Sequence, residues 1–184
     1  MTCDPSLSRP RPDRGLALVG YRGTGKSTVG RIVASLSGRT FLDADLELEA
    51  RAGRSVASIF AEDGEPAFRD WEERTLAGLI EHSPTAVIAT GGGVVLREQN
   101  RQRLRNFGVI VWLTAEPAEL ASRLSADPRG LAARPALTAT GTIVEIARVL
   151  EIRTPIYQAM ADTVINTGGK TPDEIAAAIL AFWL

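Results

Sequence analysis

Leu16-Ala17-Leu18-Val19-Gly20-Tyr21-Arg22-Gly23-Thr24-Gly25-Lys26-Ser27-Thr28 is the stretch on which the fold turns. Its first four residues are apolar without alternation, the pattern of a buried strand closed by Gly20. From Gly20 the chain matches G-x-x-x-x-G-K-[ST] at every fixed position. From Lys26 to about Leu36, Val29, Ile32, Val33 and Leu36 recur on one helical face. A strand leading in and a helix leading out is the context in which this motif has physical meaning. The glycines let consecutive N–H groups curl around a phosphate without Cβ clashes, and the positive end of the helix adds to the anion site. The reading is ATP binding by Gly23, Thr24, Gly25, Lys26, Ser27 and Thr28. Lys26 reaches the β- and γ-phosphates, and the Ser27 hydroxyl ligates Mg2+. The motif is silent about what receives the phosphate.

Outward from that loop the chain alternates strand and helix. Thr40–Leu42 reads as a second strand ending in Asp43-Ala44-Asp45, and helical segments fill most of Leu46–Ile80 with a turn at Asp63-Gly64. Ala86–Ala89 is a third strand running into Gly91-Gly92-Gly93. A helix at about Arg97–Asn106, a strand at Val109–Leu113 and a helix at Pro117–Leu124 follow. Ser125–Thr140 carries Pro128, Gly130 and Pro135 without a period and reads as a mobile lid over about 125–140. A helix from about Ile143 to Met160, a strand at Thr163–Ile165 and an amphipathic helix at Pro172–Phe182 close the pattern. Such alternation predicts an α/β fold, a parallel sheet with helices on both faces and ligands at the carboxyl ends of its strands.

Residues 1–14 are rich in Ser, Pro and Arg and read as a disordered tail, leaving 15–184 as a single domain. The formal net charge of −1 argues against a nucleic-acid binder. One cysteine, Cys3, cannot close an intramolecular disulfide, so a reducing, cytoplasmic setting is expected. No apolar run approaches the roughly 18 residues of a membrane span.

The second constellation separates kinases from switches and motors. The third strand ends in Thr90-Gly91 without the usual acid, so the carboxylates at hand are Asp43 and Asp45. Strand periodicity puts residues i and i+2 on one side, which brings both near the phosphate loop. Asp43 suits Mg2+, directly or through water. Asp45 suits acceptor hydroxyls and uptake of the attacking proton, or it caps the helix beginning at Leu46; the two roles are compatible. Arg69 and Glu72 share a helix face three residues apart, and a guanidinium fork matches a carboxylate bidentately. Gly91-Gly92-Gly93 lets a ligand meet bare backbone. Arg134 in the lid suits the γ-phosphate during transfer, and Arg153 is a second anion clamp. Each of these arginines taken singly also reads as a solvated charge. His82 reads as a surface residue, Trp71, Trp112 and Trp183 as packing, and Glu47 and Glu49 as a solvated helix face.

These residues together resemble the shikimate kinase family from about Leu16 onward. The carriers are the phosphate loop, Phe41-Leu42-Asp43-Ala44-Asp45, Gly53-Arg54-Ser55-Val56-Ala57-Ser58-Ile59-Phe60, and Asp63-Gly64-Glu65 with Phe68-Arg69 and Glu72. Gly91-Gly92-Gly93, Arg134-Pro135, and Arg153 before Pro155 and Tyr157 complete them. The resemblance implies a P-loop, nucleoside-monophosphate-kinase-like three-layer sandwich with a five-stranded parallel sheet in the order 2-3-1-4-5 and a lid. It implies ATP-dependent phosphorylation of the shikimate 3-hydroxyl, a late step toward chorismate and the aromatic amino acids. Asp45, Arg69, Gly91, Gly92, Gly93 and Arg153 would bind shikimate, with Val56, Phe60 and Phe68 as the apolar wall of its pocket. Lys26, Ser27 and Asp43 would serve nucleotide and Mg2+, Arg134 would close over the phosphates, and Arg123 would lie beside the adenine. Lys26, Asp45 and Arg134 are thus the expected catalytic residues, in a protein expected to work as a monomer. Two departures stand out. The interval from Arg123 to Arg134 is longer than in compact family members. Lys170, in Gly169-Lys170-Thr171-Pro172, stands at the adenine edge where the family often has an arginine; it supplies charge without planar stacking. A kinase for gluconate or a nucleoside monophosphate, and a non-catalytic nucleotide-binding module or switch, are the competing readings. The pairing of Arg69, triple glycine and Arg153 disfavours the other acceptors, and intact Lys26, Asp43 and Asp45 disfavour loss of catalysis.

Overall fold

The computed structural model describes residues 13–126 and 139–184. Five strands, β1 (Gly15–Val19), β2 (Phe41–Asp43), β3 (Val87–Ala89), β4 (Gly108–Thr114) and β5 (Thr163–Asn166), form one sheet in the order β2-β3-β1-β4-β5. Every pairing is parallel. The helices are α1 (Lys26–Ser37), α2 (Ala44–Ala52), α3 (Val56–His82), α4 (Glu98–Phe107), α5 (Pro117–Ala126), α6 (Ala139–Met160) and α7 (Pro172–Trp183). A 3-10 turn spans Val94–Leu96. Both the sheet order and the α/β class expected from the sequence are found.

β1 occupies the centre, and its unbroken apolar run is explained by burial on both faces. Ala17 and Val19 face a core shared with Leu76 of α3, Leu104 of α4 and Tyr157 of α6. Leu16 and Leu18 face the opposite layer, with Val29 and Val33 of α1 and Ile175, Ile179 and Trp183 of α7. Each large side chain on this strand contributes roughly 1.5–3 kcal/mol by leaving water. The carboxyl ends of β1, β2 and β3 therefore sit side by side, β1 and β3 followed by glycine-bearing loops and β2 running straight into α2.

Local chemistry sets the element ends. Asp43 caps α2, its Oδ1 accepting from the N–H groups of Asp45 and Leu46 at 3.2 and 3.4 Å. This corrects the expectation that Asp45 is the cap and that the helix begins at Leu46. α3 bends at Gly64, whose φ of 81° and ψ of 174° lie outside helical space, where the sequence placed its turn. On the near side of the bend Arg54 ties down Glu62 and Asp63. α7 starts with a capping box: Thr171 Oγ1 accepts from Glu174 N–H, and Glu174 accepts from Thr171 N–H at 2.7 Å.

Gly15 and Gly108 face each other in register across β1 and β4. A Cβ built on Gly108 would overlap the Gly15 carbonyl, and one on Gly15 would enter the Phe107 ring. Backbone cannot yield as a flexible side chain can, so Gly108→Ala is expected to destabilise the fold by about 1–3 kcal/mol. A urea unfolding midpoint unchanged from wild type would show that the two strands can spread.

Candidate active site

The phosphate loop closes with Gly25 at a φ of 89°, a left-handed conformation that favours glycine. It precedes α1 as a cap residue with no side-chain bond to the helix. The first-turn N–H groups of α1 thus have no side-chain cap, and they present positive charge to the loop interior. Lys26 opens that helix but is buried, and its Nζ donates to the carbonyls of Gly20 and Tyr21, each at 2.8 Å. Burial pushes its pKa down from 10.5 to about 8; Asp45 and Asp43 pull the other way, and Arg153 adds to the fall. Ser27 Oγ donates to Asp43 Oδ2 at 2.6 Å, bridging the start of α1 and the end of β2. Thr24 is buried and donates to the Tyr21 carbonyl at 2.7 Å.

Asp45 reaches the site by a different route from the one expected. Since α2 begins at Ala44, Asp45 lies in the first turn of a helix, and strand periodicity does not relate it to Asp43. It still meets the triple glycine: a Cβ on Gly91 would come within 2.8 Å of both Asp45 Oδ1 and Glu72 Oε1. A Cβ on Gly93 would overlap the Arg69 guanidinium, and one on Gly92 would approach Arg153 Nη1 to 3.6 Å. Three bare backbone positions therefore let two carboxylates and two guanidiniums converge at the end of β3. Arg153 donates to the Gly92 carbonyl at 3.1 Å, and the Tyr157 hydroxyl donates to the same oxygen. Burial drives the Tyr157 phenol up to about 12, so it stays protonated as a donor.

Arg69 is buried against Glu72, Nη1 to Oε2 at 2.7 Å. Its Nε and Nη2 both donate to Glu65 Oε1, at 3.2 and 2.9 Å. Burial opposes its charge, but Glu72 and Glu65 outweigh that and raise its pKa above the ordinary arginine value.

A cavity of about 670 Å³ joins these parts. Gly23, Thr24, Gly25, Lys26, Ser27 and Thr28 line it beside Asp43, Asp45, Gly92 and Arg153, and Arg123 and Lys170 line it as well. Arg69, Gly91 and Gly93 do not line it. Arg134 and most of the stretch read as a lid lie outside the described residues. Of the expected apolar wall, Val56 lines the cavity, while Phe60 and Phe68 pack on each other with ring centroids 4.4 Å apart. Arg123 donates to the Gly23 carbonyl and to both oxygens of Thr167, so α5 is tied to the phosphate loop and to the loop after β5. Lys170 donates to the Asn166 carbonyl at 2.9 Å.

The sequence reading missed several lining residues. Glu49, read as solvated, lines the cavity and accepts from Val56 N–H at 2.8 Å, holding the start of α3. Tyr21 and Arg22 occupy variable positions of the motif, and Thr90, Pro172 and Ile175 carry no motif of their own. The i,i+4 spacing of Glu65 and Arg69 is the signal in the sequence for their ion pair. His82 is exposed, and Trp112 and Trp183 are packed, as read.

A five-stranded parallel sheet in this order, with a lysine-bearing phosphate loop beside paired carboxylates, defines a small-molecule kinase of the P-loop, nucleoside-monophosphate-kinase-like class. The family model for shikimate kinase matches residues 22–183. A shikimate kinase of Rhodopirellula baltica is 42% identical over 165 residues, covering 90% of this chain and 88% of that protein. One from Pseudomonas syringae pv. tomato is 40% identical over 168 residues, covering 91% and 95%. Among solved structures, shikimate kinase from Acinetobacter baumannii in complex with shikimate superposes with a TM-score of 0.83 at 34% identity, over 91% of this chain and 90% of that one. The chain belongs to the shikimate kinase family, which uses ATP. Among the described residues no helix is long and apolar enough to cross a membrane.

The lowered Lys26 pKa gives a pH signature. Below about pH 8 the empty site holds an ammonium, and above it the neutral amine predominates. ATP binding at higher pH must then recruit a proton, so affinity should fall by up to about tenfold per pH unit. Between about 8 and 10.5 the unfolded chain keeps its lysine proton longer, so stability of the empty fold rises with pH in that window. Calorimetry of a non-hydrolysable ATP analogue from pH 7 to 9.5, in two buffers of different ionisation enthalpy, reads both affinity and proton uptake. Flat affinity without proton uptake would rule out a titrating Lys26.

Proposed function

We propose that this protein transfers the γ-phosphoryl group of ATP to the 3-hydroxyl of shikimate, giving shikimate 3-phosphate and ADP. The observation that carries this reading is one cavity lined both by Lys26 with its phosphate loop and by Asp45, Gly92 and Arg153. In-line transfer needs little covalent chemistry from the protein; it needs positioning and stabilisation of charge. Loop N–H groups of Gly23 to Thr28 cradle the phosphates, and Lys26 neutralises the β- and γ-oxygens. Arg123 and Lys170 flank the adenine end. Asp45 accepts the proton of the 3-hydroxyl as that oxygen attacks the γ-phosphorus and the bond to the ADP oxygen breaks. Arg153 and Arg69 take the shikimate carboxylate, with Glu72 orienting Arg69, while Gly91, Gly92 and Gly93 admit the ring. Arg134 is given the closing role over the phosphates from its place in the sequence alone, in a lid at about 125–140 of a domain spanning 15–184.

The residues fit a magnesium ion. Ser27 Oγ and Asp43 Oδ2 are hard oxygen donors 2.6 Å apart, and Mg2+ characteristically takes one or two protein oxygens with waters and substrate phosphates. Among the described residues no cluster of three or more His, Cys, Asp or Glu offers a rival metal site. Bound there, Mg2+ supplies charge that neutralises the β- and γ-phosphate oxygens. The protein is proposed to act as a cytoplasmic monomer.

A coupled ADP-release assay over shikimate, gluconate and nucleoside monophosphates tests the acceptor. Shikimate should be turned over efficiently and gluconate poorly, because gluconate has a carboxylate but no rigid ring to align its hydroxyl with Asp45. Efficient turnover of gluconate would overturn the acceptor assignment and leave the kinase standing. Lys26→Ala should lower kcat by about 10²–10³-fold with the fold intact; a loss under about threefold would displace Lys26 from the reaction.

The carboxylate clamp has its own test. A shikimate analogue with a neutral amide should lose about 2–5 kcal/mol in kcat/KM, because it leaves charged partners unmatched. The loss should largely vanish in an Arg69→Ala/Arg153→Ala double variant. Equal penalties in both proteins would mean that these arginines do not read the carboxylate.

A further inference from the structure

Arg69 presents two hydrogen-bonding edges, and in this structure both are taken. Nη1 faces Glu72, while Nε and Nη2 converge on Glu65. The Nε–Nη2 edge is one on which a carboxylate sits side-on with two parallel bonds. Glu65 already supplies one carboxylate oxygen there, Oε1, which both donors share.

The two glutamates differ in their freedom. The Glu72 side chain is only 4% exposed, enclosed beside Gly91 and Asp45. The Glu65 side chain is 58% exposed, so swinging it into water costs little desolvation. It also follows directly on the bend at Gly64. Before that bend Glu62 and Asp63 are anchored to Arg54. After it, the Glu65 side chain reaches Arg69. The cavity agrees with an occupied edge, since it reaches Asp45, Val56, Gly92 and Arg153 but not Arg69.

We infer that Glu65 is an internal stand-in for the acceptor carboxylate, occupying the Nε–Nη2 edge of Arg69 in the empty site and leaving it when an anionic acceptor arrives. The inference rests on the proposed reading that the acceptor carries a carboxylate to Arg69. The exchange trades one carboxylate for another, so the buried guanidinium never stands with that edge unmatched. It also makes Glu65 a specificity device. A neutral acceptor offers no charge to take the edge over, so Glu65 stays and the inner pocket remains closed. An anionic acceptor meets the same cost and recovers it through Arg69.

Glu65→Gln separates this role from a purely orienting one. If Glu65 competes with the acceptor, removing its charge should tighten shikimate binding. Partly exposed ion pairs shift equilibria by about two- to fivefold, and that is the expected fall in the shikimate dissociation constant by calorimetry. ATP affinity should stay within about twofold, as should kcat. Glu72→Gln, which removes the fixed orienting partner, should shift shikimate binding the opposite way. A second readout needs no acceptor: phenylglyoxal should modify Arg69 of substrate-free Glu65→Gln faster than wild type, mapped by mass spectrometry. Unchanged or weaker shikimate binding in Glu65→Gln would overturn the stand-in role. Should wild type not bind shikimate at all, the proposed acceptor falls. The phenylglyoxal rate then decides the stand-in role alone, an unaltered rate sinking it.

Discussion

Everything in this site is arranged around an ammonium group held out of water. Lys26 follows the central strand, and to sit in the loop it must give up hydration for two carbonyls, those of Gly20 and Tyr21. A buried lone cation is costly, and the surroundings answer that cost with Asp43 at the end of β2 and Asp45 in the first turn of α2. Those carboxylates in turn need holding: Asp43 by Ser27 and by the first N–H groups of α2, Asp45 by its place in the first turn of that helix. An anion arriving at this loop meets a charge that is already desolvated and needs little reorganisation, the condition under which electrostatic stabilisation of a transition state is strongest.

The same constraint recurs at the end of β3. Arg69 is buried, so its guanidinium must be matched whether or not a ligand is present, and Glu72 and Glu65 do this. Three consecutive glycines make the arrangement possible, because side chains there would collide with Arg69, Glu72 and Asp45. The glycine run is thus as much a spacer for charged neighbours as a surface for a ligand. Arg153 and Tyr157 converge on the Gly92 carbonyl, which links α6 to the glycine loop that follows β3. The residues lining the cavity come from the phosphate loop, α1, β2, α2, α3, the glycine loop, α5, α6 and α7, so their relative placement depends on the sheet that brings the strand ends together.

The alternation of short apolar runs with amphipathic stretches, and a phosphate-loop signature at the one junction where it has physical meaning, were enough to read the layer architecture and the position of the nucleotide loop. These are local properties: β1 is continuous in Leu, Ala and Val because it is covered on both faces, and the Gly64 bend follows from a residue type. The family resemblance, carried by several ordered motifs, supplied the strand order. The same local rules misjudged residues whose role is set by a partner. Asp43 and Asp45 looked like neighbours on one strand, but the helix begins at Ala44. Glu49 looked like a solvated position, yet it accepts from the backbone of Val56 across the turn between two helices.

What the sequence by itself determined was the set of charges and the backbone able to approach them: Lys26 in its loop, two acids after β2, an arginine on α3, three glycines after β3, an arginine on α6. What only the tertiary structure decided was which charge faces which. Arg69 lies outside the lining of the cavity and against Glu65, and Lys26 titrates near pH 8. Both follow from burial. Desolvation raises the cost of every unmatched charge, and how far each group is removed from water depends on segments distant in the chain that pack over it.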